Sequence, residues 1–236
     1  MTRALQAVIF DFDGVIANSE PLHLRAFQQV LGEVGILLTA EEYYARYLGF
    51  DDVGAFQAVG QDRGVTMSAA LVQSLVNQKG EKLHQILEAG DVMFRGAADF
   101  IRTAAQAVPI AIASGALRHE IDDIVSAAGL APLFETIVAS GDTPESKPSP
   151  APYQLAFNRL KAVHPQLEAH RCVAIEDSRW GLVSAAGAGL RCVGVTTSYR
   201  ADELGDAELI VEGLHRLTLS ALDNLVAAVP GQDDIS

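Results

Sequence analysis

Ala7-Val8-Ile9-Phe10-Asp11-Phe12-Asp13-Gly14 is an apolar run that breaks into two acidic residues and a glycine. A strand that is apolar at every position belongs in a sheet covered on both faces, the setting of parallel strands between layers of helix. Similar runs recur at Pro109 to Ala113, Thr136 to Ala139, Cys172 to Ile175, Arg191 to Val195 and Leu209 to Val211, with helical spacing between them. That rhythm predicts an α/β fold with a doubly wound, Rossmann-like parallel sheet. Ligands in such sheets collect beyond the carboxyl ends of the strands, so the residues that follow each run are where chemistry is expected.

Four of these strand ends carry suitable groups. Asp11 directly follows its strand, where a carboxylate is costly to desolvate unless a cation meets it; the plainer alternative is a pair of solvated turn aspartates, Asp11 and Asp13. The second run ends in Ser114-Gly115-Ala116, a small-residue turn whose hydroxyl and free N–H groups suit a phosphate, although Ser114 alone reads equally as a helix cap. After the third comes Ser146-Lys147-Pro148-Ser149-Pro150, in which Pro148 keeps Lys147 out of helical geometry. A lone lysine is ordinarily solvated, but near Asp11 it would be a point charge for phosphoryl oxygens. The fourth run leads into Glu176-Asp177-Ser178, then Gly181 and a small-residue helix face. Acidic groups at two strand ends can supply the oxygen ligands that magnesium takes while leaving room for water and phosphate.

The rhythm fails between the first and second runs. Residues 17–90 have helical patterns and no convincing strand, too long for an ordinary crossover, so an inserted α-helical cap domain is expected there, with residues 1–16 and 91–236 as the α/β core. Leu22, Phe27, Val30 and Leu31, and Leu71, Leu75 and Leu83, are spaced as the buried faces of its helices.

Composition narrows the function classes. Hydrophobic residues make up 49% of the chain and charged residues 20%, as in an ordered globular protein. With 30 acidic against 17 basic residues the formal charge is −13, a field that repels nucleic acid and anionic membrane surfaces. An anionic substrate would need a bound cation and a few placed basic groups to reverse that field locally. The two cysteines, Cys172 and Cys192, sit in apolar runs and read as reduced buried thiols. Acidic residues interrupt the first apolar run before it could serve as a signal core or membrane span, so a cytoplasmic protein is expected, and a monomer is the default. The acidic end, Gln232 to Ser236, carries nothing that suggests chemistry.

The four pieces, in this order, resemble the haloacid dehalogenase-like superfamily, specifically its β-phosphoglucomutase-like and phosphoglycolate phosphatase-like members with a helical cap. The resemblance implies that Asp11 attacks phosphorus to form an aspartyl-phosphate, that Asp13 protonates the leaving alcohol and then activates water, and that Ser114 and Lys147 hold the phosphoryl oxygens beside Gly14 and Gly115. It gives Mg2+ to the Asp11 carboxylate, the Asp13 main-chain carbonyl and Asp177, with Glu176 an outer or variable ligand. An aspartate at position 13 favours ester hydrolysis over dehalogenase or phosphonatase chemistry. Within the cap, Asn18-Ser19-Glu20-Pro21-Leu22-His23 resembles the hinge and first helix, Leu48-Gly49-Phe50-Asp51-Asp52 the specificity loop, and Lys79 a cleft lysine. His23, Gly49 and Lys79 are thus implied substrate contacts, against the plainer readings of a packed histidine and a solvated lysine.

The chain departs from the β-phosphoglucomutase pattern, in which the specificity loop carries a basic residue for a second phosphate. Here Asp51 and Asp52 stand in that loop, which puts a mutase second to a phosphatase acting on a small phosphorylated metabolite; Arg46 or Arg63 would have to substitute. A phosphate-sensing or partner-binding protein without turnover is the reading from another class. Against it, Asp11, Asp13, Lys147 and Asp177 are all present.

Overall fold

The computed structural model describes residues 3–47, 50, 52–88 and 92–228, with side chains through 86 in the third of these stretches. Gly49, with Leu48 and Asp51, and the acidic C-terminal end lie outside the described residues. The chain divides into two compact units, Met1–Asn18 with Met93–Ser236, and Ser19–Val92.

The first unit is built on six parallel strands among the described residues: β1 (Ala7–Phe10), β2 (Ile110–Ala113), β3 (Thr136–Val138), β4 (Cys172–Glu176), β5 (Arg191–Val195) and β6 (Leu209–Val211). They lie in the order β3-β2-β1-β4-β5-β6. The order reverses at β1, and such a switch point opens the crevice where doubly wound sheets bind ligands. Phe10 pairs with Ile112 on one side and Ile175 on the other, so the residues that follow β1, β2 and β4 emerge at one level.

The second unit is helical. It contains α1 (Glu20–Glu33), α2 (Ala40–Glu42), α3 (Asp52–Arg63) and α4 (Ala69–Glu88), with a π-helical turn at Tyr43–Tyr47. Pro21 in the first turn of α1 needs no hydrogen-bonded N–H there. Thr39 and Glu42 form a reciprocal capping box at the start of α2. Leu24, Phe27, Val30 and Leu31 of α1 join Phe56 and Val59 of α3 and Val72 and Leu75 of α4 in one apolar core.

The remaining helices, α5 (Ala97–Ala105), α6 (Arg118–Ala127), α7 (Ala151–Val163), α8 (Arg179–Gly187) and α9 (Leu219–Ala227), belong to the first unit. Alternate residues of β1 serve opposite faces of the sheet. Ala7 and Ile9 pack with Tyr153, Ala156 and Leu160 of α7 and Leu182 of α8, whereas Phe10 meets the rings of Phe100 and Phe134 edge-on. This two-sided burial is why β1 is apolar throughout, and each fully buried large side chain contributes roughly 1.5–3 kcal/mol. Cys172 and Cys192 are free thiols in this core, both pushed up to about 12 by burial.

Candidate active site

Asp11 stands one residue beyond β1, its N–H still donating to the Ile175 carbonyl at 2.9 Å, so its position is fixed by the sheet. The chain then turns sharply: the Phe12 carbonyl accepts from the N–H groups of Val15, Ile16 and Ala17 at 3.3, 2.8 and 2.9 Å. Asp13 is half-buried in this turn. Gly14 has φ +77°, and a Cβ there would lie 1.8 Å from Asp177 Oδ2. Glycine is therefore required twice over, for its backbone angle and for the space that the Asp177 carboxylate occupies. The Thr197 hydroxyl donates to the Gly14 carbonyl from the loop after β5.

Lys147 reaches the same place from the loop after β3. Its Nζ lies 2.8 Å from Asp11 Oδ1 and 2.5 Å from Glu176 Oε1. The contact with Asp11 is an ion pair without hydrogen-bond alignment, and Asp11 Oδ1 is left buried with no hydrogen bond. Carboxylate oxygens of Asp11, Glu176 and Asp177 lie within 4.8 Å of one another, all three residues buried. One ammonium faces three carboxylates, an imbalance that a divalent cation would correct.

The electrostatics express that imbalance. Burial and then Glu176 hold the Asp11 carboxyl well above the usual range, with Lys147 opposing them. Asp177 is pushed up to about 6 by burial and then by Glu176. Burial disfavours the Lys147 charge, but Asp11 and Glu176 outweigh it and keep the ammonium protonated beyond the ordinary lysine range.

Ser114 continues β2 by one residue, its N–H donating to the Val138 carbonyl at 2.9 Å, and it is buried. It does not cap the following helix. α6 starts at Arg118 with Leu117 before it, while Ser114 Oγ accepts from the Ala116 N–H at 3.1 Å. Gly115 faces open space, with no atom within 4 Å of where a Cβ would be.

With an aspartate fixed at the end of β1, a lysine after β3 and two acidic residues at the end of β4, the geometry can be set beside known proteins. Residues 8–195 match the haloacid dehalogenase-like hydrolases. The chain belongs to that family. It is 31% identical to the CbbY protein of Rhodobacter capsulatus, over 94% of this chain and 99% of that one. A phosphoglycolate phosphatase of Yersinia pseudotuberculosis is 25% identical, covering 85% of each protein. CbbY from Rhodobacter sphaeroides has been solved with phosphate, at TM-score 0.78 and 28% identity over 93% of this chain and 99% of that one. A variant of it has been solved with xylulose-1,5-bisphosphate, at TM-score 0.76 and 27% identity, covering 90% of this chain and 96% of that one.

Three neighbours of this family site had no signal in the sequence. Tyr153 of α7 donates its hydroxyl to Glu176 Oε1 at 2.9 Å, yet its spacing is simply that of a core aromatic. Thr197 and Ser198 reach Gly14 and Asp177 respectively from a loop that reads as an ordinary polar connection.

In the helical unit, Lys79 is buried rather than solvated, its Nζ 2.9 Å from Asp52 Oδ1 and 2.8 Å from His23 Nδ1. Burial and then the Lys79 charge push His23 down to about 3, so its imidazole is neutral and accepts from the ammonium. Arg46 pairs with Asp62 at 2.7 Å, and Arg63 with Glu42 at 2.7 Å and with the Leu37 carbonyl at 3.0 Å.

Proposed function

We propose that the protein is a magnesium-dependent phosphatase that hydrolyses a small phosphate monoester through an aspartyl-phosphate on Asp11. The observation that carries this reading is the buried Asp11 carboxylate, held against Lys147 at the switch point of the sheet with one oxygen lacking any hydrogen bond. The chain is an enzyme of its family, a phosphatase of small phosphate esters.

The donors fit a divalent cation: the Asp11 and Asp177 carboxylates with the Asp13 main-chain carbonyl would hold Mg2+, and Glu176 would stand outside that set. Bound there, Mg2+ would neutralise charge on the transferring group and offset repulsion between two anions. Asp11 attacks phosphorus as the bond to the leaving oxygen breaks, and Asp13 donates the proton which that oxygen needs. Asp13 then takes a proton from the water that attacks the aspartyl-phosphate, releasing phosphate and regenerating Asp11. Ser114, Lys147 and the turn N–H group at Gly115 hold the phosphoryl oxygens; the Gly14 N–H expected beside them instead donates to the Ala17 carbonyl at 2.9 Å, so Gly14 serves the turn rather than the phosphate.

Substrate identity is assigned to the helical unit as the cap domain, with His23, Gly49 and Lys79 as recognition groups. A phosphorylated sugar or phosphoglycolate-like ester fits the relatives. The β-phosphoglucomutase-like alternative is disfavoured because the loop that would meet a second phosphate carries Asp51 and Asp52 in place of a basic residue; Arg46 and Arg63, which would have to substitute, pair with Asp62 and Glu42. The enzyme is taken to act as a cytoplasmic monomer; among the described residues no helix is long and apolar enough to cross a membrane.

Phosphate release from a panel of glycolate, triose, pentulose and hexose phosphates is expected to require Mg2+, to stop with EDTA and to return when Mg2+ is restored in excess. Isomerisation of one sugar phosphate without release would establish the mutase instead. Binding of phosphate without turnover of any ester would establish the non-catalytic reading.

Gly14→Ala tests the seat of the proposed metal ligand. Its Cβ would be driven into Asp177 Oδ2, 1.8 Å away, at a strained φ of +77°. Calorimetry should show Mg2+ affinity falling about 10–100-fold, the usual cost of disturbing a ligand's support. Unchanged affinity would remove Asp177 from the ligand set.

A further inference from the structure

Glu176 has no access to solvent, and every acceptor site on its carboxylate is taken. Oε1 receives Lys147 Nζ at 2.5 Å and the Tyr153 hydroxyl at 2.9 Å. Oε2 receives the Asp177 N–H at 3.2 Å, the Ser178 N–H at 3.3 Å and the Ser178 hydroxyl at 3.1 Å. A carboxylate offers about four lone-pair sites, and five donors converge on this one. The carboxylate is also seated by a gap: a Cβ on Gly181 would lie 1.9 Å from the Glu176 carboxyl carbon. Its position is therefore set by Lys147 and by Tyr153 of α7 on one oxygen, and by Asp177 and Ser178, the residues that lead into α8, on the other. The Lys147 ammonium is located in turn by this carboxylate, and it lies 5.0 Å from the centre of the Tyr153 ring.

We infer that Tyr153 and Ser178 are positioning residues for phosphoryl transfer, a buried clamp that fixes Glu176 against Lys147 and so holds the ammonium where the transferring phosphoryl group develops charge. The inference rests on the phosphatase reading for the identity of the reaction, and it adds two residues that touch neither phosphate nor metal. Removing the Tyr153 hydroxyl frees a lone pair on Oε1. The carboxylate can then rotate, and Lys147 follows it away from the line between Asp11 and the phosphoryl group. An ammonium displaced by a fraction of an ångström still attracts a phosphate dianion but no longer matches the transition state, so the loss falls on kcat rather than KM.

The test compares wild type with Tyr153→Phe, which keeps the ring in the core and deletes only the hydroxyl. Expected are a kcat reduced about 10–100-fold, the range for groups that orient those in contact with the reacting atoms, a KM within about twofold, and a cooperative thermal transition retained. Orthovanadate, which adopts the five-coordinate geometry of phosphoryl transfer, should bind more weakly by the same factor as kcat falls, while inorganic phosphate binds as before. Tyr153→Phe with wild-type kcat and wild-type vanadate affinity overturns the proposal and leaves the tyrosine a packing residue. Should Tyr153→Phe not fold, Ser178→Ala removes a hydroxyl from the other oxygen of the same carboxylate and must show the same divergence of vanadate from phosphate. Vanadate binding by calorimetry needs no turnover. A wild type that turns over no ester therefore counts against the phosphatase reading, whereas equal vanadate affinities in wild type and variant count against the clamp.

Discussion

Asp11→Asn is expected to release phosphate at least about 10^4-fold more slowly than the wild type, because the change removes the nucleophile of the covalent route while keeping its volume. An amide oxygen cannot accept the phosphoryl group, and the two carboxylates clustered with Asp11 are already committed: Glu176 is saturated by its own donors, and Asp177 is seated against Gly14. Folding should survive. The carboxyl at position 11 is held above its usual range by burial and by Glu176, so the metal-free fold gains by losing that charge. Against this gain, Lys147 loses one of its two counter-ions. Urea denaturation of the metal-free chains should therefore show a small change in stability beside a very large change in rate. A variant that keeps more than about one-hundredth of wild-type activity would exclude the aspartyl-phosphate route and leave Asp11 a metal ligand alone.

The sequence showed where the site lies more readily than how it is held. Asp11 and Ser114 directly follow apolar runs, Asp177 follows the fourth after Glu176, and Lys147 lies in the loop after the third; the parallel register that brings those run ends together follows from strands buried on both faces. What links the groups comes from residues distant in the chain. Tyr153 is 23 residues from Glu176 and has the spacing of a core aromatic. The need for glycine at position 14 is created by Asp177, far along the chain. Ser114 reads equally as a helix cap, and only the start of α6 at Arg118 shows that its hydroxyl serves the turn instead. Lys79 has no nearby residue that predicts burial; its partners His23 and Asp52 meet it only through the packing of α1, α3 and α4.

Lys147→Met should be the most damaging change to the metal-free fold and a severe one for rate. The methionine fills the lysine's space but leaves three buried carboxylates facing one another without a counter-charge. Removing one partner from a buried ionic cluster typically costs about 3–5 kcal/mol. The rate should fall by about 10^2–10^3-fold, as when a single charge-stabilising donor is lost. The pH dependence gives the sign. In the wild type the Asp177 carboxyl titrates near 6 when folded against a reference of 3.8, so between those values the folded state binds more protons than the unfolded one. The contribution of that group is therefore most favourable below pH 3.8, is lost as the pH rises through that window, and is constant above it. Lys147 opposes the upward shifts of both Asp11 and Asp177, so in the methionine variant the window extends to higher pH. Acidification from pH 7 to 5 should then stabilise the metal-free variant more than the metal-free wild type, and saturating Mg2+ should recover part of the loss at pH 7. A variant as stable as wild type at pH 7 in EDTA, with no added gain on acidification, would mean that the carboxylates are neutral without the lysine; the cluster would then be no preformed cation site, and the case for a metal at Asp11 and Asp177 would fall with it.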